Sequence, residues 1–186
     1  MILDYFGIVI MAILSGARLK QTLMGEWWAV PLFTHAMLSA LLLLLHRRTN
    51  RQSPLLQRLV AWASALLPFA IQINTEVPIL TRGVSLLGVV FAIWTLVTLG
   101  KSFDVSPADR GLVKKGPYKL VRHPMYASEL FSVIVMVMVE LSLRNIMVTL
   151  ALAASLVLRI FWEEKIIQGY QDYSLQVRSR LLPGVW

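Results

Sequence analysis

Long apolar runs, separated by short polar links, dominate the chain and predict membrane helices. The predicted helices cover Tyr5 to Ala17, Trp27 to Leu45, Leu55 to Ile73, Gly83 to Leu99, Met125 to Leu143 and Asn145 to Phe161. A transmembrane helix needs about 20 apolar residues, so the first run crosses only if residues 2–4 join it and Arg18 and Lys20 snorkel. The pattern therefore predicts an all-α integral membrane protein with five or six transmembrane helices.

The last two runs are separated only by a short polar link around Arg144 and Asn145. So short a link favours a tight antiparallel helical hairpin, because two helices joined by a few residues must lie side by side. The tail, residues 162–186, is too polar to span a membrane. We expect it to continue the last helix and then to fold back over the cytoplasmic face.

The longest polar interval in the chain is residues 101–126, the polar segment. It reads KSFDVSPADRGLVKKGPYKLVRHPMY and contains two glycines, three prolines and, up to Arg122, six cations. Glycine permits close backbone approach, and proline makes rigid turns. This composition suits a cofactor pocket at a membrane surface and makes the polar segment the main candidate site.

Composition supports a lipid environment and removes several classes of site. Hydrophobic residues form 57% of the chain and charged residues 15%, against about 45–50% and about 25% in soluble domains. The absence of cysteine excludes disulfides, thiolate zinc sites and cysteine nucleophiles, and three histidines argue against a histidine-rich metal cluster, so no metal is expected.

The net charge of +8 is distributed in short cationic clusters beside the apolar runs. Such clusters are typical of topogenic charges near anionic lipid, and nothing in the pattern favours nucleic acid as a partner. Most cations fall on one side if both termini are cytosolic, which also places the polar segment there. We expect an inner or plasma membrane protein.

The polar segment and the residues after it resemble one superfamily. LVKKGPYKLVRHPMYAS, then a helical hairpin, Glu163-Glu164 and the tail residues Tyr170, Tyr173 and Arg180 to Pro183 are similar to the isoprenylcysteine carboxyl methyltransferases and phospholipid methyltransferases. The similarity covers about residues 84–186. It implies an integral membrane enzyme that uses S-adenosyl-L-methionine.

The resemblance also implies a division of the chain and a set of site residues. One membrane domain, 1–186, would consist of N-terminal helices (1–83) and a methyltransferase core (84–186) with a cofactor loop (101–124), a hairpin (125–161) and a cytosolic tail (162–186). Where family members often have histidine, this chain has Arg110, which we expect to hold the cofactor carboxylate. The implied cofactor-binding residues are Arg110, Leu112, Val113, Gly116, Tyr118, His123, Pro124, Glu163 and Glu164, with Arg122 and Tyr126 closing the site.

Methyl transfer from a sulfonium needs mainly orientation and stabilisation of the nucleophile. A carboxylate acceptor needs no base and can be held by Arg122, whereas an amine acceptor makes Glu129 a candidate base. Residues Arg122, Tyr126 and Glu129 follow helical i, i+4, i+7 spacing, and an ionisable group inside a span is a functional candidate. A structural role for Glu129, held by a neighbouring helix, is the alternative.

The expected partners are the lipid bilayer and a lipophilic small-molecule acceptor; the sequence leaves the acceptor and the oligomeric state open. Two other functions remain open as well. One is a nicotinamide-dependent reductase, because sterol reductases have a related membrane core, and the other is a non-catalytic membrane scaffold. His35, within an apolar helix, is expected to form an interhelical hydrogen bond.

Overall fold

The computed structural model describes residues 2–49 and 51–186, which form seven α-helices and no β-strand. The all-α prediction is confirmed. The helices are α1 (Ile2–Leu23), α2 (Ala29–Leu45), α3 (Leu55–Leu66), α4 (Ile79–Leu99), α5 (Pro124–Val137), α6 (Leu143–Ile166) and α7 (Tyr170–Gln176).

Within the described ranges, three helical stretches are long and apolar enough to cross a membrane: Tyr5–Leu23, Ile79–Ser102 and Leu143–Ile166. The first is longer than predicted, because the helix continues past Arg18 and Lys20. Three shorter apolar helices, Ala29–Leu45, Leu55–Ala70 and Pro124–Val137, accompany them. Many large apolar side chains on their outer faces are exposed, which provides a surface for lipid.

The turn between α5 and α6 lies earlier than predicted. Helix α5 ends at Val137 and α6 begins at Leu143, so Arg144 and Asn145 belong to the first turn of α6 and not to the link. Ser142 fixes this start, because its hydroxyl accepts a hydrogen bond from the Asn145 backbone N–H at 3.2 Å.

The third predicted helix also ends earlier than expected. The α-helix stops at Leu66, and a 3-10 turn follows over Leu67–Ala70, in place of the α-helix predicted as far as Ile73. Pro68 accounts for the change, because proline lacks the N–H that the helical ladder requires. The segment after it is held by buried Asn145, whose amide bonds both the N–H and the C=O of Gln72, at 3.1 and 2.7 Å.

Helices α4 and α5 approach each other closely. The hydroxyls of Ser85 and Ser132 each donate to the other residue's backbone carbonyl, at 3.2 and 3.1 Å. Gly88 makes this approach possible, because a Cβ there would lie 2.1 Å from the Ser132 hydroxyl. The contact fixes α5 against the helix that leads into the polar segment.

The link between α2 and α3 pairs with the polar segment through backbone hydrogen bonds. Arg47 N–H donates to the Lys101 carbonyl at 2.8 Å, and Asp109 N–H donates to the Arg51 carbonyl at 3.0 Å. Phe103 of the polar segment is buried in a core with residues of α2, α3 and α4. The N-terminal helices therefore help to position the candidate site.

Candidate functional site

A cavity of about 90 Å³ lies between the polar segment, the end of α6 and α7. It has both charged and apolar walls. Eight of the predicted site residues line it: Arg110, Leu112, Val113, Tyr118, Arg122, His123, Tyr126 and Glu163.

The first part of the polar segment is folded around Asp104. Its carboxylate accepts a hydrogen bond from the Ser106 backbone N–H at 3.0 Å and pairs with the Arg110 guanidinium at 2.6 Å. Arg110 also donates to the Arg47 carbonyl, across the link to α2. These contacts hold the loop in shape and leave Arg110 with its charge already paired, although it lines the cavity.

The Arg122-His123-Pro124 sequence lies at the start of α5 and is held by the tail. The backbone N–H groups of Arg122 and His123 donate to the carbonyls of Ser179 and Arg180, both at 2.9 Å. Pro124 occupies the first helical turn, where its missing N–H costs nothing. The tail thus lies beside the polar segment. The side chains of Arg122 and His123 are both buried.

The two glutamates after the hairpin lie on either side of His123. Its Nδ1 lies 3.6 Å from Glu163, its Nε2 lies 3.4 Å from Glu164, and the Tyr170 hydroxyl hydrogen-bonds Nε2 at 2.8 Å. The Tyr126 hydroxyl donates to the other Glu163 oxygen. The hairpin therefore brings the Glu pair to the Arg-His-Pro sequence.

The two carboxylates have different surroundings. Glu163 lines the cavity, whereas Glu164 does not and is paired with Arg122 at 3.0 Å and with Arg180 through two hydrogen bonds of 2.9 and 3.0 Å. A bidentate arginine–carboxylate pair fixes both groups in one geometry. Glu164 therefore joins the tail to the polar segment, and only Glu163 is open to a ligand in the cavity.

The electrostatics favour a protonated His123 among neutral tyrosines. Burial lowers the pKa of His123, but the hydrogen bonds and charges of Glu163 and Glu164 outweigh burial, so the pKa lies above its usual 6.5. Burial raises the pKa of Tyr118 and brings that of Tyr173 to about 12. Tyr173 remains a donor to the Tyr118 carbonyl, at 2.6 Å.

Three predicted site residues lie outside the cavity walls in addition to Glu164. Gly116 packs toward Thr98, where a Cβ would lie 3.0 Å from the hydroxyl oxygen, and its φ of +57° favours glycine. Pro124 supports the start of α5. Glu129 lines a second cavity, of about 250 Å³, which Met125 also borders.

The expected i, i+4, i+7 alignment of Arg122, Tyr126 and Glu129 is wrong. Helix α5 begins at Pro124, and the backbone at His123 has φ −126° and ψ 60°, so helical spacing does not apply to Arg122. Arg122 and Tyr126 meet at the first cavity nevertheless, while Glu129 faces the second.

Several residues that border or brace the cavity had no role assigned from the sequence: Asp104, Ser106, Tyr170, Tyr173 and Arg180. Asp104 and Ser106 fall in the polar segment, and their position there was the available signal. Arg180 was noted in the sequence only as part of the tail resemblance, and no residue near it in the sequence indicates its pairing with Glu164.

Comparison with known families supplies the deciding observation. Residues 77–172, a little over half of the chain, match the model of the phospholipid methyltransferase family. The chain belongs to the phospholipid methyltransferase family. No curated protein matches it. The resemblance carried by the polar segment and the Glu pair is thereby confirmed.

For this phospholipid methyltransferase family member, the matched region runs from just before α4 into α7. It includes the polar segment, the hairpin and both glutamates, and it excludes α1 to α3 and the end of the tail. Membership makes the protein a methyltransferase with lipid-related substrates, and the apolar helices make it an integral membrane protein.

Proposed function

We propose that the protein transfers the methyl group of S-adenosyl-L-methionine to a lipophilic acceptor, a carboxylate or an amine, at the cytosolic face of the membrane. The observation that carries this proposal is the cavity in which Glu163, His123 and Arg122 meet beside tyrosine and aliphatic walls. A carboxylate and a cation alone would not support binding of this cofactor, because it has apolar as well as polar parts.

The residues at the cavity fit the cofactor's chemistry. Glu163 offers an acceptor to ribose hydroxyls or to the methionine ammonium, Arg110 offers a cation to the methionine carboxylate, and Leu112 and Val113 offer an apolar wall to adenine. Ser106 borders the cavity with a buried hydroxyl that has no hydrogen-bond partner among the residues that the structure describes. Each class of group in the cofactor therefore has a counterpart in these walls.

When bound, the cofactor would supply an electrophilic methyl group on a positively charged sulfur, and the neutral thioether S-adenosylhomocysteine would be its leaving group. The chain's residues orient and dehydrate the reactants. Arg122 would hold a carboxylate acceptor, and Tyr126, whose hydroxyl donates to Glu163, would close the first cavity around the reactants. Glu129 takes the proton of an amine acceptor from the second cavity.

The cofactor assignment is tested by calorimetric titration of the purified protein with S-adenosylhomocysteine and, separately, with NADPH. We expect binding of the first, a Glu163→Gln variant that binds it more weakly, and a Glu76→Gln control that binds normally, because Glu76 is exposed and distant in sequence from the polar segment. Binding of NADPH alone would overturn the proposal in favour of a reductase. Transfer of radiolabel from the cofactor to the lipid phase identifies the product.

We also propose one membrane domain, comprising the helices of 1–83 and the core of 84–186, with both termini and the cavity in the cytosol of an inner or plasma membrane. The cationic clusters around the polar segment support this orientation. The cysteine-free sequence allows a direct test, since Gln171→Cys adds one exposed thiol on α7. In intact cells a permeant maleimide should label it, and labelling by an impermeant reagent would place the tail outside.

A further inference from the structure

A third cavity adjoins the first at the level where two of the membrane helices end. It is an open groove of about 360 Å³ between the link that follows α2, the end of α4 and the middle of the polar segment. Three of its eight lining residues are cations, so we call it the cationic groove. Its lining residues are Arg47, Thr98, Leu99, Ser102, Leu112, Val113, Lys114 and Lys115.

The three cations of the groove are not neutralised by the protein. None of the lining residues is acidic. The side chains of Arg47 and Lys115 make no hydrogen bond and no ion pair with the residues that the structure describes, and the Lys114 Nζ has only the Tyr173 ring, whose centre is 5.9 Å away. All three cations are exposed, so an anion from outside the protein can approach them.

The acidic side chains of the polar segment do not compensate this charge, because both are engaged elsewhere. Asp104 is paired with Arg110. Asp109 accepts hydrogen bonds from the backbone N–H groups of Gly111 and Gln168, at 3.2 and 3.1 Å. The groove therefore attracts anions.

Backbone contacts fix Arg47 beside the two lysines. Its N–H donates to the Lys101 carbonyl at 2.8 Å, and its own carbonyl accepts a hydrogen bond from Arg110. A Cβ at Gly111 would lie 3.1 Å from Arg47 Nη1, so the absence of a side chain there leaves room for the guanidinium. Arg47 precedes the family match, which begins at residue 77, and the groove thus includes a residue outside the matched region.

An exposed apolar stripe on α4 leads to the groove. Its members follow helical spacing on one face and are Leu87, Val90, Trp94 and Val97. The stripe ends beside Thr98, a groove residue whose hydroxyl donates to the Trp94 carbonyl at 2.8 Å. Other residues of α4, Val89 and Ala92, line the second cavity, so the stripe is a separate surface that faces lipid.

We propose that the cationic groove binds the phosphate of an anionic phospholipid without an amine, whose acyl chains lie along the stripe on α4. Basic pockets at the ends of membrane helices attract anionic head groups, and each Lys or Arg near such a surface increases affinity about fivefold. Three cations together correspond to about 100-fold. The groove shares no lining residue with the second cavity, and this lipid offers neither the amine nor the carboxylate of a methyl acceptor.

Lipid titration of the purified protein in a neutral detergent tests the groove. The probe is phosphatidylglycerol, the neutral reference is phosphatidylcholine with the same acyl chains, and native mass spectrometry measures the lipid-bound fraction. The groove variant combines Arg47→Gln, Lys114→Gln and Lys115→Gln. A matched control loses three exposed cations that do not line the groove, through Lys119→Gln, Lys165→Gln and Arg178→Gln.

We expect wild type and the matched control to bind phosphatidylglycerol about 100-fold more tightly than phosphatidylcholine, and the groove variant to lose this preference. Lys115→Gln alone should reduce it about fivefold, which keeps the test available if the triple variant does not fold. An equal loss in the groove variant and the matched control would overturn the proposal, because it would reflect total charge. Binding of inorganic phosphate to wild type without a preference for phosphatidylglycerol would overturn it as well, in favour of a soluble anion.

Brominated acyl chains test the position of the lipid along α4. Brominated phosphatidylglycerol should quench tryptophan fluorescence more than brominated phosphatidylcholine does. Trp94→Phe should remove most of this difference, whereas Trp27→Phe should retain it, because Trp27 is exposed just before α2, at the end of that helix away from the groove. A difference that persists in Trp94→Phe would refute the placement of the acyl chains on the stripe.

Discussion

Replacing each carboxylate of the Glu pair by its amide should separate cofactor binding from stability. Glu163→Gln removes the one carboxylate of the pair that lines the first cavity. A hydrogen bond to a charged group contributes about 1.5–3 kcal/mol, so we expect S-adenosylhomocysteine to bind about 10- to 150-fold more weakly.

Glu164→Gln should act mainly on stability, because this side chain joins Arg122 and Arg180 away from the cavity walls. Breaking a buried ion pair by removing one partner costs about 3–5 kcal/mol, and the Glu164 side chain keeps 14% exposure, which favours the lower end. A loss of about 3 kcal/mol corresponds to about 6–12 °C in Tm for a chain of this size.

The assays are calorimetric titration with S-adenosylhomocysteine and thermal unfolding of each variant in detergent, with wild type and Glu76→Gln as references. We expect a larger affinity loss for Glu163→Gln and a larger loss of Tm for Glu164→Gln. If the two variants lose affinity and stability to the same extent, the division of roles between the glutamates is wrong.

Three further predictions concern stability, each checked by thermal unfolding in detergent. Because the folded pKa of His123 is raised above its usual 6.5, its proton stabilises the fold fully below about pH 6.5 and less as pH rises through the folded pKa, so Tm should fall as pH rises above about 6.5; a His123→Gln variant with the same pH slope would contradict this. Gly88→Ala should cost about 1–3 kcal/mol by overpacking against Ser132, whereas Gly83→Ala, with nothing within 4 Å, should stabilise α4 by about 0.5–1 kcal/mol; equal effects would refute the close contact. Asn145→Ala should lower the free energy of unfolding by about 3 kcal/mol, because the backbone N–H and C=O of Gln72 lose their hydrogen-bond partner. An unchanged stability would show that water replaces the amide.

Local signals carried much of the fold and of the site from the sequence. Apolar runs and the glycine and proline positions of the polar segment predicted the helices and the loop between them, because these depend on residues close in sequence. The meeting of His123 with the Glu pair followed from the hairpin, since two helices joined by a short turn must return to the same side.

Contacts between residues far apart in the sequence could not be predicted from these local patterns. Arg159 donates hydrogen bonds to Ser64 and Val105, which are 95 and 54 residues away in the sequence, and no local spacing indicates either contact. The position of Glu129 depended on where α5 begins, and a start at Pro124 removed Arg122 from its helical register. Rotation of a helix about its axis is decided by its neighbours, which a single sequence does not reveal.

The most direct test of the cofactor site is photochemical. Purified protein is irradiated with radiolabelled S-adenosylmethionine, and the labelled peptides are identified. We expect label within residues 101–126 or 163–173, competition by excess S-adenosylhomocysteine, and loss of label in Glu163→Gln. Label confined to residues 1–83, or label that excess S-adenosylhomocysteine does not remove, would contradict a cofactor site at the first cavity.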